Sequence, residues 1–257
     1  MRTIALTLRQ VRFENRAFWR NPPSAFFTFV FPLMFLVIFK VVFGDQEIEV
    51  PGGKVDTSTF YVPGIIALSV ISACYTNIAI GIAFSRDRGL LKRVRGTPLP
   101  AASFLFGRII QATLIAVLLV LLVLGAGVFL YGVEAPADKA PAFIIGLVVG
   151  AATFCALGLA MTALIPNADA APAVVNASIL PLLFISNVFI PTANAPAWLN
   201  DFASLFPVVH FSEAMHAAFN PFETGGGFDV KSLIVMAVWG ALGLAVAVRY
   251  FSWEPKR

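Results

Sequence analysis

The sequence predicts an all-α integral membrane protein. It has six transmembrane helices, an N-terminal amphipathic helix on one membrane surface, a short cytoplasmic helix between the second and third spans, and short re-entrant extracellular helices before the last span. Three observations predict this. Of 257 residues, 59% are apolar and only 12% are charged, whereas a soluble domain is about half apolar and about a quarter charged. Too little polar surface remains to coat a water-soluble particle, and disorder, which needs low hydrophobicity and high net charge, is excluded too. Six apolar runs reach the length of about 20 residues that a bilayer core requires. Finally, 14 of the 18 cations lie on one side of those runs.

The runs are Ala25–Phe43, Tyr61–Phe84, Ile109–Tyr131, Ala142–Ile165, Pro172–Ile190 and Ser232–Phe251, with only Lys40 and Arg249 charged among them. Both lie near a run's end, where a long stem can reach the interface. Pro172 and Pro181 interrupt the fifth run, which is tolerable where neighbours satisfy the freed carbonyls. Arg2, Arg9, Arg12, Arg16 and Arg20 precede the first run. Arg86, Arg88, Lys92, Arg93, Arg95 and Arg108 lie between the second and third, and Arg249, Lys256 and Arg257 follow the last. Lys40, Lys54, Lys139 and Lys231 fall on the other side with most of the acids. Both termini of this multi-pass protein are therefore expected in the cytoplasm. The first run, with no A-x-A site after it, is expected to be a retained anchor. The net charge of +4 then reflects orientation and is no nucleic-acid footprint. Cys74 and Cys155 sit in apolar runs and read as small buried hydrophobes.

The segment before the first run has a helical period. Ile4, Leu8, Val11, Asn15, Phe18 and Trp19 share one stripe, and Arg9, Arg12, Arg16 and Arg20 another, as in a basic helix lying in the headgroup plane. Asn21-Pro22-Pro23 ends it. Gly44–Phe60, acidic and rich in turn residues, reads as a solvated loop. In the loop after the second run, Leu90, Leu91 and Val94 share a helical face, Arg88, Lys92 and Arg95 occupy another, and Gly96 and Pro98 stop the helix. Such a helix can dock into a groove on a soluble partner or touch anionic lipid. Within residues 196–222, Trp198, Phe202, Leu205 and Phe206, then Phe211, Met215 and Phe219, mark two short apolar helices. These either dip into the outer leaflet or pack as an extracellular cap.

Catalytic signatures are missing. Gly53-Lys54 lacks the remaining residues of a phosphate-binding loop, and no G-x-S-x-G or H-E-x-x-H occurs. His210, Glu213 and His216 are spaced 3+3, which spreads their side chains around a helix, so no metal or catalytic site is assigned. Polar residues within the runs remain. Ser69, Ser72 and Thr76 fall at i, i+3 and i+7 with Asn77 beside them. Asn176 and Asn187 lie eleven residues apart, on one face of a continuous helix. They either bond between helices or line a path. Gly146-x-x-x-Gly150 reads as close helix packing.

Three segments resemble the membrane subunits of ABC-2 type transporters, close to the daunorubicin-resistance permeases. They are Asp87-Arg88-Gly89 through Lys92-Arg93-Val94-Arg95-Gly96-Thr97-Pro98-Leu99-Pro100, then Leu180-Pro181 through Asn187-Val188-Phe189-Ile190-Pro191 with Pro196-Ala197-Trp198-Leu199, and Phe206-Pro207 with Glu213-Ala214. Ser85 stands where the family pattern has a second acid, and Asn187 where glycine is common. The resemblance covers nearly the whole chain. It implies a single transmembrane domain that pairs with a second permease copy or homologue and binds separate ATPase subunits carrying ATP and Mg²⁺, with no cofactor on this chain. It further implies that residues 86–97 form the coupling helix, with Arg86, Asp87, Arg88, Gly89, Leu90, Leu91, Lys92, Arg93, Val94, Arg95 and Thr97 meeting the ATPase. Residues 1–21 would be the connecting helix. Ser69, Ser72, Thr76, Asn77, Asn176 and Asn187 would line the translocation path. The expected function is export of an amphipathic drug, antibiotic or lipid-like compound by alternating access. Polysaccharide, haem or ion export, or a membrane enzyme or scaffold, are the alternatives.

Overall fold

The computed structural model describes residues 2–44, 46–191, 195–223 and 226–254. Helix α1 (Arg2–Trp19) packs along α6 (Ala101–Tyr131). The face it turns inward carries Gln10, Glu14 and Phe18, while Ile4 and Leu8 of the expected apolar stripe are exposed. Pro22 and Pro23 open α2 (Pro22–Phe43), since proline at the first helical positions loses no hydrogen bond. Most of α2 faces outward, but Phe39 stacks on Tyr61 with ring centroids 4.4 Å apart.

The acidic segment is more ordered than expected. β1 (Glu47–Val50) and β2 (Gly53–Asp56) form an antiparallel hairpin with Glu47 opposite Asp56 and Val50 opposite Gly53. Alternation of Glu47, Ile48, Glu49 and Val50 is a strand pattern, and Pro51-Gly52, with Gly52 at φ +97°, supplies the turn that only glycine adopts at low cost.

The second span lies at the centre. α3 (Thr57–Ile71), a π-helical turn (Ser72–Thr76) and α4 (Asn77–Asp87) form one apolar helical stretch, 72% buried over its most apolar window, against 11% for α2. After Gly89, at φ +70°, comes α5 (Leu90–Arg95), six residues long. It occupies only the middle of the expected 86–97 helix, because Arg86 and Asp87 complete α4. Around the second span stand α6, α7 (Ala140–Met161) and α10 (Pro207–Phe219), with α11 (Val230–Tyr250) on the far side of α7.

Small residues set these approaches. A methyl group at Gly146 would meet Met215, and one at Gly150 would strike the Phe211 ring, so the G-x-x-x-G surface packs α7 on α10. Gly158 approaches the carbonyls of Cys74 and Tyr75 in the π turn, and Gly243 of α11 approaches the α7 backbone near Leu157. Thr153 Oγ1 donates to Met236 O at 2.9 Å across the α7–α11 contact. α9 (Ala197–Ala203) leaves Trp198 and Phe202 exposed, whereas α10 buries Phe211, Met215 and Phe219.

Among the described residues, five helices have the length and hydropathy of a membrane span: α2, the α3–α4 stretch, α6, α7 and α11. The expected fifth run, Pro172–Ile190, is instead α8 (Ala171–Phe184), 14 residues long, followed by turns. Its helix ends before Asn187, which has φ +59°. The predicted common face of Asn176 and Asn187 therefore does not exist. Ile185 leaves helical geometry four residues after Pro181 has removed a backbone donor, and Ser186 Oγ donates to Leu183 O at 3.1 Å in the last turn.

Candidate functional site

The cations converge where α1, α4, α5 and α6 meet. Leu91 is fully buried, Val94 is half-buried, and Leu90 is 44% exposed, so the three apolar residues of α5 do not share one environment. Lys92, Arg93 and Arg95 are exposed, as are Arg88 and Thr97. Arg88 lies over the Phe84 ring at 5.5 Å, a cation–π contact. Thr97 Oγ1 donates to Val94 O and closes the helix.

Two arginines are used internally. Arg86, only 1% exposed, donates to the carbonyls of Thr162 (3.0 Å), Ile165 (2.6 Å) and Pro166 (3.3 Å). Asp87 accepts the N–H of Ala168 and lies 3.7 Å from Arg86 Nε. Both therefore face the α7–α8 connection. Arg108 of α6 lies 3.3 Å from Glu14 of α1 and donates to Ser85 Oγ at 2.8 Å. Gln10 Nε2 donates to the other Glu14 oxygen at 2.8 Å. Beside this network is a cavity of about 630 Å³ whose walls include Phe13, Glu14, Asn77, Arg88, Val94 and Arg108. Glu14 and Arg108 were missed from sequence. Their signal is an acid in the inward stripe of an arginine-rich helix.

The polar residues of the spans separate into different environments. Ser69 is fully buried and donates to Ile65 O at 2.7 Å. Ser72 and Thr76 begin and end the π turn and are half-buried. Asn77 faces the cavity just described, Asn176 is exposed on α8, and Asn187 lines a separate cavity at the hairpin side. A further polar contact, Tyr75 OH with Ser178 Oγ at 2.7 Å, joins the π turn to α8. It borders an apolar cavity of about 660 Å³ also walled by Phe154, Leu182, Trp239 and Tyr250.

On the hairpin side, His210 Nδ1 is 3.4 Å from Glu213 and 3.0 Å from Ser232 Oγ. His216 points elsewhere, its Nε2 3.1 Å from Phe60 O. Burial pushes the Glu213 carboxyl above its usual range, opposed by the nearby His210, and holds the His216 imidazole below its usual value. Among the described residues no group of three or more His, Cys, Asp or Glu could hold a metal ion.

Long apolar helices and a basic face carrying a short exposed helix define a multi-pass membrane protein. The family model for ABC-2 type transporters matches residues 3–220. The chain belongs to that family, which comprises permease subunits that are not enzymes themselves and implies an ABC ATPase partner. It is 27% identical over 199 residues to a putative transport permease, ycf38, of Cyanophora paradoxa, covering 76% of this chain and 67% of that protein. It is 26% identical over 246 residues to the probable doxorubicin resistance ABC transporter permease protein DrrC of Mycobacterium tuberculosis, covering 93% and 83%. Against the probable multidrug ABC transporter permease YbhR of Escherichia coli it is 23% identical over 160 residues, covering 62% and 43%.

Proposed function

We propose that this permease exports an amphipathic small molecule across a bacterial inner membrane, with its basic side and both termini in the cytoplasm. The Lys and Arg asymmetry supports the orientation, and the doxorubicin-resistance and multidrug relatives support the substrate class. ATP and Mg²⁺ belong to a separate ATPase, which docks on α5 and is braced by α1. The observation that carries this reading is the outer face of α5, where exposed Leu90 is surrounded by Arg88, Lys92, Arg93 and Arg95. That face suits a groove on a partner.

Transport proceeds by alternating access between two permease copies. Asn176 supports such pairing, because an exposed amide on a membrane helix is costly unless it lines a path or meets another chain. Ser69, Ser72, Thr76, Asn77 and Asn187 belong to the same path in this reading. Leu90→Asp is expected to abolish copurification of the ATPase and to restore drug susceptibility in a strain that depends on this permease. Unchanged copurification and export in that variant would refute docking at α5.

A further inference from the structure

The residues that close α4 meet their neighbours differently on two sides. On one side, Arg86 forks onto the carbonyls of Thr162, Ile165 and Pro166, just beyond the end of α7. Asp87 takes the N–H of Ala168 from the same connection. One dipeptide thus grips the segment joining α7 to α8 by both its acceptors and a donor. The guanidinium is planar with donors in fixed directions, it is 1% exposed, and Ile165 beneath it is fully buried. Hydrogen bonds from a charged donor are among the strongest available to a protein, and two of the three acceptors, on Thr162 and Ile165, belong to buried residues.

On the other side, Ser85 meets α6 through Arg108, which reaches α1 through Glu14. That side is not filled. The cavity of about 630 Å³ lies between α1, α4, α5 and α6, with Ser85, Arg88, Glu14 and Arg108 in its walls. Close-packed protein has low compressibility and passes on a displacement, whereas an open volume absorbs it.

We infer that Arg86 and Asp87 fasten the end of α4, the 162–168 connection and the start of α8 into one moving body. A push on α5 is then delivered to α8, while α4 and α5 shift relative to α1 and α6 across the cavity. Arg86 and Asp87 are positioning residues acting through the 162–168 connection, not contacts for the ATPase. The inference rests on the α5 docking reading only for the origin of the push.

The test places spin labels in pairs on the full chain copurified with its ATPase, diluted with unlabelled chain. Lys92→Cys reports α5, Asn176→Cys reports α8 and Arg12→Cys reports α1. All three positions are exposed, and the native Cys74 and Cys155 are buried. Between nucleotide-free and vanadate-trapped states, the 92–176 distance should hold while the 92–12 distance changes by about 1–5 Å, the scale of packed-element shifts. A 92–176 change as large as the 92–12 change overturns the inference.

Arg86→Lys should broaden the 92–176 distribution and lower doxorubicin transported per ATP hydrolysed at least about fivefold, the lower end of coupling between distant sites. ATPase copurification should not change. An unaltered transport-to-hydrolysis ratio overturns the assignment. Asp87→Asn, which keeps the side chain's shape, should act in the same direction if the lysine variant fails to fold. Failure of the unmodified chain to copurify an ATPase would refute the docking reading instead. Hydrogen exchange on the permease alone then decides the joint. Arg86→Lys should speed exchange in residues 165–168 and in α5 together, leaving α1 unchanged, and acceleration confined to 165–168 overturns it.

Discussion

Gly158→Ala adds one methyl group where two spans are closest. Its Cβ would lie 2.8 Å from Tyr75 O, 3.0 Å from Cys74 O and 3.1 Å from Tyr75 Cα, where ordinary contact begins at 3.4 Å. All three are backbone atoms, so no side chain can rotate away. α7 cannot retreat freely either, because Gly243 on the opposite side already approaches its backbone near Leu157. Overpacking of this kind costs about 1–3 kcal/mol, and replacing glycine in a helix returns about 0.5–1 kcal/mol. The net effect is a destabilisation of up to about 2.5 kcal/mol, or up to about 10 °C in Tm for a chain of this size. Gly125→Ala is the control, since nothing lies within 4 Å of its new methyl, and it should be neutral or slightly stabilising. The assay is thermal unfolding of both variants in one detergent. A Gly158→Ala midpoint equal to or above that of Gly125→Ala would refute the packing argument.

Leu91→Asp should destabilise the permease itself by at least about 3 kcal/mol, because a carboxylate would be buried without a partner; Leu90→Asp, at an exposed site, should leave the midpoint within about 0.5 kcal/mol. Arg108→Met strands Glu14 in a buried position and should cost about 3–5 kcal/mol, much of it recovered in Glu14→Leu/Arg108→Met; a double variant no better than the single would argue against the ion pair. For His216, burial holds the folded pKa below the ordinary 6.5, so between those values the unfolded chain binds more protons. That contribution is present above about pH 6.5 and is lost as pH falls towards the folded value; melting scans from pH 7.5 to 5.5 should show the loss, and His216→Gln should remove that part of it. Glu213 has the opposite sign, its raised pKa favouring the fold as pH falls below the folded value towards 4.5.

Where one physical signal dominated, the sequence was readable. Uninterrupted hydropathy located α2, α6, α7 and α11, and the charge asymmetry separated the basic face from the acidic one. The hairpin was readable in principle, from the alternation of Glu47 through Val50, but the acidic composition suggested a solvated loop. The fifth run misled because Ile185–Ile190 is as apolar as a helix, and hydropathy carries no record of backbone direction. Its clues were Pro181 and the asparagine at 187, a residue type that tolerates positive φ. Arg86 looked like its neighbours Arg88 and Arg93 because charge is legible in sequence and burial is not. Only the arrival of the 162–168 carbonyls distinguishes it. The Tyr75–Ser178 contact pairs residues 103 positions apart, beyond any local pattern.

The shortness of α8 makes bilayer thickness a parameter of this protein. Fourteen helical residues rise about 21 Å, roughly 9 Å less than a hydrocarbon core of about 30 Å. The irregular backbone that follows can lie at that depth only where protein shelters it. Gly64 provides such shelter, since even a methyl there would come within 2.7 Å of Val188 O. Wherever α8 borders lipid, acyl chains beside it would have to shorten or tilt to meet it. Lipids of different chain length would thus load this one span unequally while leaving the 31-residue α6 amply long.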